Sequence, residues 1–357
     1  MMEGRTEHSG SDEGVPEYPT SEAIQIILLN APDIPSSLQG HLHDAHCHPT
    51  DHPETLSQID PALSGSLCAM ATRPSDQSLV SSFYEDNKNR VIPFFGYHPW
   101  FAHSFAIDNN EHYKSILKPT PPEEFLSHLP KPLAWNEALQ ELRSRLESNS
   151  TSQVGEIGLD KSFRLPNYTS VKKDNSTPMD LSPYKTIQEH QLRIFTDQCI
   201  LAGEFGRAVS VHGVQCHGLL FTTLQSLWKG HEIKTKKQTQ TPNTERSAGR
   251  FPPRICIHSA SLPIDTLKQY LRPSVPSKVY FSVSTGINAR YGKKLLDLIS
   301  AVPHDRILIE SDWHSEGVIR RNQLKDIARV VIHVKKWSME EGIQTLERNF
   351  REYVYGN

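Results

Sequence analysis

Seven residues of metal-ligand type are spread along the chain: His46 and His48, His98, Glu156, His212, His258 and Asp312. Imidazole and carboxylate together form a donor set for divalent ions such as Zn, Mn, or Mg with water. His46-x-His48 is the pivotal pair. On a strand, positions i and i+2 project from the same side, so both rings face one point. With 18 His in the sequence, an H-x-H pair by itself says little. Glu156 adds a second kind of signal, because it interrupts the otherwise apolar run 153–160. A carboxylate in a buried strand is costly unless it is paired or metal-bound.

The elements that must carry these residues follow from apolar patterning. Short apolar runs occupy 41–48, 65–72, 90–100, 153–160, 207–214, 254–258, 278–284 and 306–312. Their near-continuous apolar character fits strands buried on both faces, as in a parallel sheet. Helical periodicity follows most of them, at 75–89, 133–148, 184–205, 217–228, 264–271 and 290–301, and two further helices close the chain at 319–336 and 338–353. Alternation of this kind predicts an α/β fold, and eight repeats predict a (β/α)8 TIM barrel. A doubly wound open sheet is the alternative, but no G-x-G-x-x-G or P-loop supports it. In a barrel the C-terminal strand ends converge on one face, and the ligand-type residues lie at those ends. The domain reading is a flexible N-terminal tail at 1–36 and a barrel at 37–357, with polar insertions near 104–132, 161–184 and 230–253. The apolar run 23–29 either packs on the body or forms a short helix, and it is too short to span a bilayer.

Bulk properties narrow the function classes. Of 357 residues, 38 are Lys or Arg and 41 are Asp or Glu, a net charge of −3. No global basic field advertises nucleic acid, so contact with phosphate must be local or carried by metal. Five Cys without a C-x-x-C pair are the pattern of reduced intracellular thiols. No signal peptide is evident. The expectation is a soluble protein, cytoplasmic and/or nuclear, with no membrane partner.

Six ligands exceed what one tetrahedral ion needs and suit two ions roughly 3.5–4 Å apart with a shared carboxylate. Glu156 is the natural bridge. The expected division is His46, His48, Glu156 and Asp312 on one ion, and Glu156, His212 and His258 on the other. Water acidified between them would attack an ester or phosphodiester, with Asp312 as a general base.

These residues also resemble a known family. His46-x-His48, Gly96-Tyr97-His98-Pro99, Gly155-Glu156-Ile157-Gly158-Leu159-Asp160, Val211-His212, His258 and Ser311-Asp312 are similar to the TatD-type metal-dependent deoxyribonucleases of the amidohydrolase superfamily. More narrowly they resemble the fungal branch named for interaction with an anaphase-promoting-complex subunit. The resemblance runs from about His41 to Tyr355. It implies a divalent-metal nuclease removing nucleotides from DNA 3′ ends, with His98 near the substrate phosphate. Three departures affect the substrate side. Val214 stands where the family has Arg, Ser259-Ala260-Ser261-Leu262 replaces Cys-Phe-Ser-Gly, and Trp313-His314-Ser315 replaces a small residue, Pro and Tyr. Loss of the Arg removes a bidentate phosphate clamp. Lys161 is a candidate phosphate contact, and Trp100, with Phe101, a candidate base-stacking surface. Asp44 either orients a ligand His or simply closes a strand. Two other functions stay open: a hydrolase of small amides, lactones or phosphoesters, and a non-catalytic adaptor for a cell-cycle or ubiquitin-ligase partner.

Overall fold

The computed structural model describes residues 20–59, 65–107, 112–168, 180–233 and 250–356. Eight parallel strands form one sheet in chain order: β1 (Asp44–Cys47), β2 (Leu67–Met70), β3 (Val91–Phe95), β4 (Gln153–Asp160), β5 (Ala208–Val214), β6 (Arg254–Ile257), β7 (Lys278–Val283) and β8 (Ile307–Ile309). Almost every strand residue is buried, which is why the strands read as unbroken apolar runs rather than as alternating ones. Across the seam, Asp312 N donates to His46 O at 2.9 Å and His48 N donates to Trp313 O at 2.8 Å. Those two bonds close the sheet into a (β/α)8 barrel.

Strand alternation divides two apolar layers. Cys68, Met70, Ile92, Phe94, Ala208, Cys256, Tyr280 and Leu308 point into the barrel. Their neighbours, among them Leu67, Val91, Val209, Val211, Ile255, Val279 and Ile307, pack outward against the helices. The helical ring comprises α1 (Glu22–Asn30), α2 (Gln77–Asp86), α3 (Trp135–Ser148), α4 (Gln188–Glu204), α5 (His217–Trp228), α6 (Ile264–Tyr270), α7 (Lys293–Ala301), α8 (Val318–Lys335) and α9 (Met339–Tyr355). Phe350, Tyr353 and Val354 of α9 join the interior layer, and Tyr353 Oη donates to Val209 O at 3.1 Å. The end of α9 therefore plugs the N-terminal mouth of the barrel and leaves the C-terminal mouth for the site. On β5, β6 and β8 the inward parity that begins with Ala208, Cys256 and Leu308 arrives at His212, His258 and Asp312.

The structure differs in detail from the patterning. The third strand stops at Phe95, although the apolar run continues to Trp100. Side-chain amides replace the ladder there. Gln198 accepts from Tyr97 N (2.8 Å) and donates to Tyr97 O (3.1 Å), and Gln77 donates to Gly96 O (2.8 Å). His98 is thereby carried off the strand to the head of a 3-10 turn, Pro99–Ser104. The insertion near 104–132 contains two short helices, His112–Ile116 and Glu123–Ser127. It meets the 161–184 insertion in a satellite core of Ile116, Leu117, Phe125, Leu129 and Leu165. Within the 1–36 stretch, α1 buries Ile24 and Ile27. Residues 1–19, 60–64, 108–111, 169–179, 234–249 and 357 lie outside the described residues, and with them parts of the tail and of all three insertions.

Candidate metal centre

All of the ligand-type residues singled out above meet at the C-terminal mouth. Glu156, 2 % exposed, sits in the middle with its two oxygens facing different groups. Oε2 lies 3.4 Å from His46 Nε2 and 3.2 Å from His48 Nε2. Asp312 Oδ1 completes that side, 3.7 Å and 3.5 Å from the same two nitrogens. Oε1 lies 2.9 Å from His212 Nδ1, 2.7 Å from His258 Nε2 and 3.1 Å from His98 Nε2. Three overlapping sets have donor atoms mutually within 4.8 Å: His46, His48 and Glu156; His46, His258 and Asp312; His98, Glu156 and His212.

Backbone geometry makes this convergence possible. Asp312 takes a left-handed φ of 52°, and Ser259, directly after His258, one of 39°. Residues with a Cβ rarely adopt this region, and when they do the strain commonly marks a functional site. At Gly158 φ is 149° and an added Cβ would lie 2.1 Å from His212 O, so β4 and β5 approach there only because the residue is glycine.

Hydrogen bonds at the far side of each ring fix its tautomer. His46 Nδ1 lies 2.7 Å from Ser210 Oγ, leaving Nε2 for the centre. His212 Nε2 lies 3.1 Å from Asp160 Oδ2, leaving Nδ1 for the centre. His98 is different. Its Nδ1 accepts from Trp100 N at 3.1 Å, so in the neutral ring the proton is on Nε2 and points at Glu156. Burial depresses its pKa to about 4 and keeps the ring neutral. His98 thus presents an N–H donor to the centre, the arrangement suited to a phosphate oxygen rather than to an ion.

The electrostatics fit cations. Burial opposes ionisation of Glu156, yet His98, His258 and His46 outweigh it and hold the group well below the usual carboxylate range. Asp312 is held low in the same way, by a hydrogen bond from His48 and the charge of His258. Burial also opposes charge on His48, but its bonds to Asp312 and Glu156 push it up to about 10. The two carboxylates draw protons onto His48, His212 and His258; divalent ions would take the place of those protons and satisfy the same negative charge. Beside the centre, His258 Nδ1 and Glu310 Oε2 are buried without a hydrogen-bond partner among the described residues.

The remaining candidates sort by position. Trp100 lines the mouth, 41 % exposed, its indole N–H donating to Asp160 Oδ2 at 2.7 Å. Phe163, which the sequence did not single out, stacks on it at 5.1 Å and 13°. Phe101 instead lies under the Arg73 guanidinium. Lys161 is exposed, and its N donates to Val214 O at 3.1 Å, so a cation stands beside the position where the Arg is missing. Ser259 Oγ lies 2.8 Å from Glu310 Oε1 and 2.9 Å from Asp312 Oδ2, placing that altered loop against a ligand. Asp44 Oδ1 accepts from the backbone N–H of His46 at 3.3 Å, and its hydrogen bonds among the described residues reach no imidazole. It accepts from Ser311 N, Ser311 Oγ and Arg320 at 2.6–3.0 Å and so locks the seam. Asp160 and Ser210 were invisible as partners because nothing in local spacing links them to His212 or His46.

The fold and the site together define a (β/α)8 barrel hydrolase with a candidate metal centre at the C-terminal strand ends. Residues 43–355 match the model of the TatD related DNases. The chain belongs to that family and is a hydrolytic enzyme acting on ester bonds. It is 36 % identical over 329 residues to the Cut9-interacting protein scn1 of Schizosaccharomyces pombe, covering 87 % of this chain and 98 % of that protein. An uncharacterized deoxyribonuclease of Saccharomyces cerevisiae is 31 % identical over 287 residues, covering 76 % of this chain and 83 % of that one. Among solved structures, a TatD homolog of Escherichia coli superposes with a TM-score of 0.55 at 17 % identity, covering 89 % of this chain and 98 % of that one. A TatD family hydrolase of Entamoeba histolytica gives 0.53 at 14 % identity, with coverages of 91 % and 96 %. These two likenesses establish the fold. No described helix is long and apolar enough to cross a membrane.

Proposed function

We propose that the protein is a two-ion deoxyribonuclease that removes nucleotides from the 3′ ends of DNA. One observation carries this reading: Glu156 Oε2 faces His46 and His48, which Asp312 Oδ1 also approaches, and Glu156 Oε1 faces His212 and His258. A single carboxylate between two donor groups is the arrangement of a bridging ligand. His46, His48, Glu156 and Asp312 would hold one ion, and Glu156, His212 and His258 the other. Divalent ions bound there supply Lewis acidity and lower the pKa of water toward neutrality. Asp312, kept ionised, would accept the proton of the attacking water as the water oxygen bonds to phosphorus and the scissile P–O bond breaks, the departing alkoxide taking a proton from solvent. His98 would donate an Nε2–H hydrogen bond to a non-bridging phosphate oxygen, and Lys161 and Trp100 would hold the neighbouring nucleotide at the rim.

The test is hydrolysis of labelled single-stranded DNA by the full chain with added Mg, Mn or Zn, beside Glu156→Ala. The expected result is metal-dependent shortening from the 3′ end that the variant loses together with its bound metal, while circular dichroism shows it folded. Metal content intact in a folded Glu156→Ala protein overturns the bridge. Hydrolysis of small esters with oligonucleotides left whole moves the substrate to small molecules. The fission-yeast relative is named for interaction with Cut9; with the resemblance to the fungal branch named for interaction with an anaphase-promoting-complex subunit, this extends the proposal to a partner of that type, bound away from the mouth. The exposed Ile26 and Leu29 on α1 are the apolar surface that motivates it. Pull-down of that partner is then expected to survive Glu156→Ala, and its loss in that variant argues against a separate surface.

A further inference from the structure

We infer that Asp160 couples occupancy of the His212–His258 side of the centre to a base-stacking ledge formed by Trp100 and Phe163; the inference rests on the nuclease reading above. Asp160 is 3 % exposed and all of its acceptor capacity is directed. Oδ1 accepts from Ser162 N and Ser162 Oγ, both at 2.7 Å, and from Phe163 N at 2.9 Å. Oδ2 accepts from Trp100 Nε1 at 2.7 Å and from His212 Nε2 at 3.1 Å. One buried carboxylate therefore holds the ligand ring, the indole, and the loop whose Phe163 stacks on that indole.

The ledge has the chemistry of a single-strand contact. Trp100 stands edge-on to His98 at 4.9 Å and to His212 at 6.1 Å, so its ring borders the centre. Phe163 backs it in parallel, and Trp100 keeps exposed surface for an incoming ring. Lys161 and Arg164 flank Phe163 at the surface without an ion pair among the described residues. Lys185 Nζ donates to Lys161 O, adding a third cation to the same rim. An aromatic platform beside unpaired cations binds an unpaired nucleobase and its phosphate, with little sequence preference.

The link runs both ways. A cation on His212 Nδ1 polarises the ring and strengthens the Nε2–H donor to Asp160. That carboxylate is then held more firmly, and with it the indole and the Ser162–Phe163 loop. A base stacked on Trp100 restrains the same carboxylate from the other side and orients His212. Coupling of this kind is reciprocal by thermodynamic necessity. Asp160 is a positioning residue here, because it touches neither substrate nor ion.

The experiment uses the full chain stripped of metal. Zn2+ is titrated by calorimetry and by tryptophan emission. A fluorescein-labelled, hydrolysis-resistant phosphorothioate oligothymidylate is titrated by anisotropy with and without Zn2+. In the wild type, Zn2+ should alter the emission of Trp100 and tighten the oligonucleotide about tenfold, and the oligonucleotide should tighten Zn2+ by the same factor. Trp100→Leu should bind Zn2+ within about threefold of wild type while losing about tenfold in oligonucleotide affinity and the emission change. Asp160→Asn should weaken Zn2+ about 10–100-fold and abolish its effect on the oligonucleotide. Zn2+ binding that leaves the Trp100 signal unaltered overturns the coupling, as does an Asp160→Asn protein that keeps the Zn2+-dependent gain. If Asp160→Asn does not fold, Trp100→Phe takes its place, since it keeps an aromatic face and removes the indole N–H donor to Asp160; loss of the Zn2+-dependent gain is then expected, and its retention overturns the link. Failure of the nuclease reading shows separately, as absence of DNA hydrolysis with any of the three metals, and leaves the link to be decided by calorimetry and emission.

Discussion

Gly158 shows how closely single residues are held around the centre. A methyl group there would meet His212 O at 2.1 Å, and its φ of 149° disfavours any side chain. Gly158→Ala should push β5 away, displace His212 and lower metal content and activity together, with about 2–4 kcal/mol lost in stability. Denaturant titration alongside metal analysis checks this; a variant with wild-type stability would show the approach to be compliant. At this scale the residues that converge at the mouth were legible as candidate ligands. His46-x-His48 and Glu156 stand out because residue type contradicts or exploits the local period. Their supports were not legible. Ser210 reaches His46 across 164 positions, and Asp160 reaches His212 across 52, so only the closed barrel makes them neighbours. His98 stood out in the sequence, but its donor tautomer depends on the Trp100 backbone N–H.

Among the elements, the shortened third strand is instructive. The apolar run to Trp100 reads as strand, yet the chain leaves the sheet after Phe95 because Gln198 on α4 binds both polar groups of Tyr97. A helix roughly a hundred positions later overrides the local pattern. Gln198 is fully buried. Gln198→Leu should strand two buried backbone groups and cost about 2–4 kcal/mol, with kcat falling because His98 loses its register. Urea unfolding of the variant measures the first effect and steady-state kinetics the second. A second element-scale device is the buried Arg320 at the start of α8, 3.0 Å from Asp44 and 3.1 Å from Glu316. Arg320→Met leaves two carboxylates unpaired inside the protein and should destabilise by about 3–5 kcal/mol; Asp44→Asn in addition should restore part of the loss. A double-mutant cycle in urea reads the coupling directly.

For the whole molecule, the barrel was readable from its eight runs and seven ligand-type residues, while the insertions were not. Their satellite core is made from two segments that look polar one at a time. The global charge balance is also misleading about the mouth, since the cations at 161, 164 and 185 are local. Stability should fall on acidification. His43, stacked on Phe350 at the plugged end, and His103, beneath the Trp100 turn, are both depressed by burial to about 4. Each has a folded pKa below its unfolded value near 6.5, so protonation favours the unfolded chain. Their contribution is complete above about pH 6.5 and is lost as pH falls toward 4, by up to about 3 kcal/mol for each ring. Thermal melts across that window should show a steep decline that His43→Gln flattens; an unchanged profile in the variant would assign the decline to other groups.

The seam of the barrel has a consequence in time. The bonds that close it, Asp312 N to His46 O and His48 N to Trp313 O, are made by the ligand residues and their neighbour. The first and last contributors to the centre are 266 positions apart, and they meet where the sheet meets itself. On the ribosome, a nascent chain carries five of the six candidate ligands long before β8 emerges, yet it holds no completed centre. If these residues are the catalytic centre, the event that finishes the fold also switches on catalysis, and an unfinished or C-terminally clipped chain is expected to be silent.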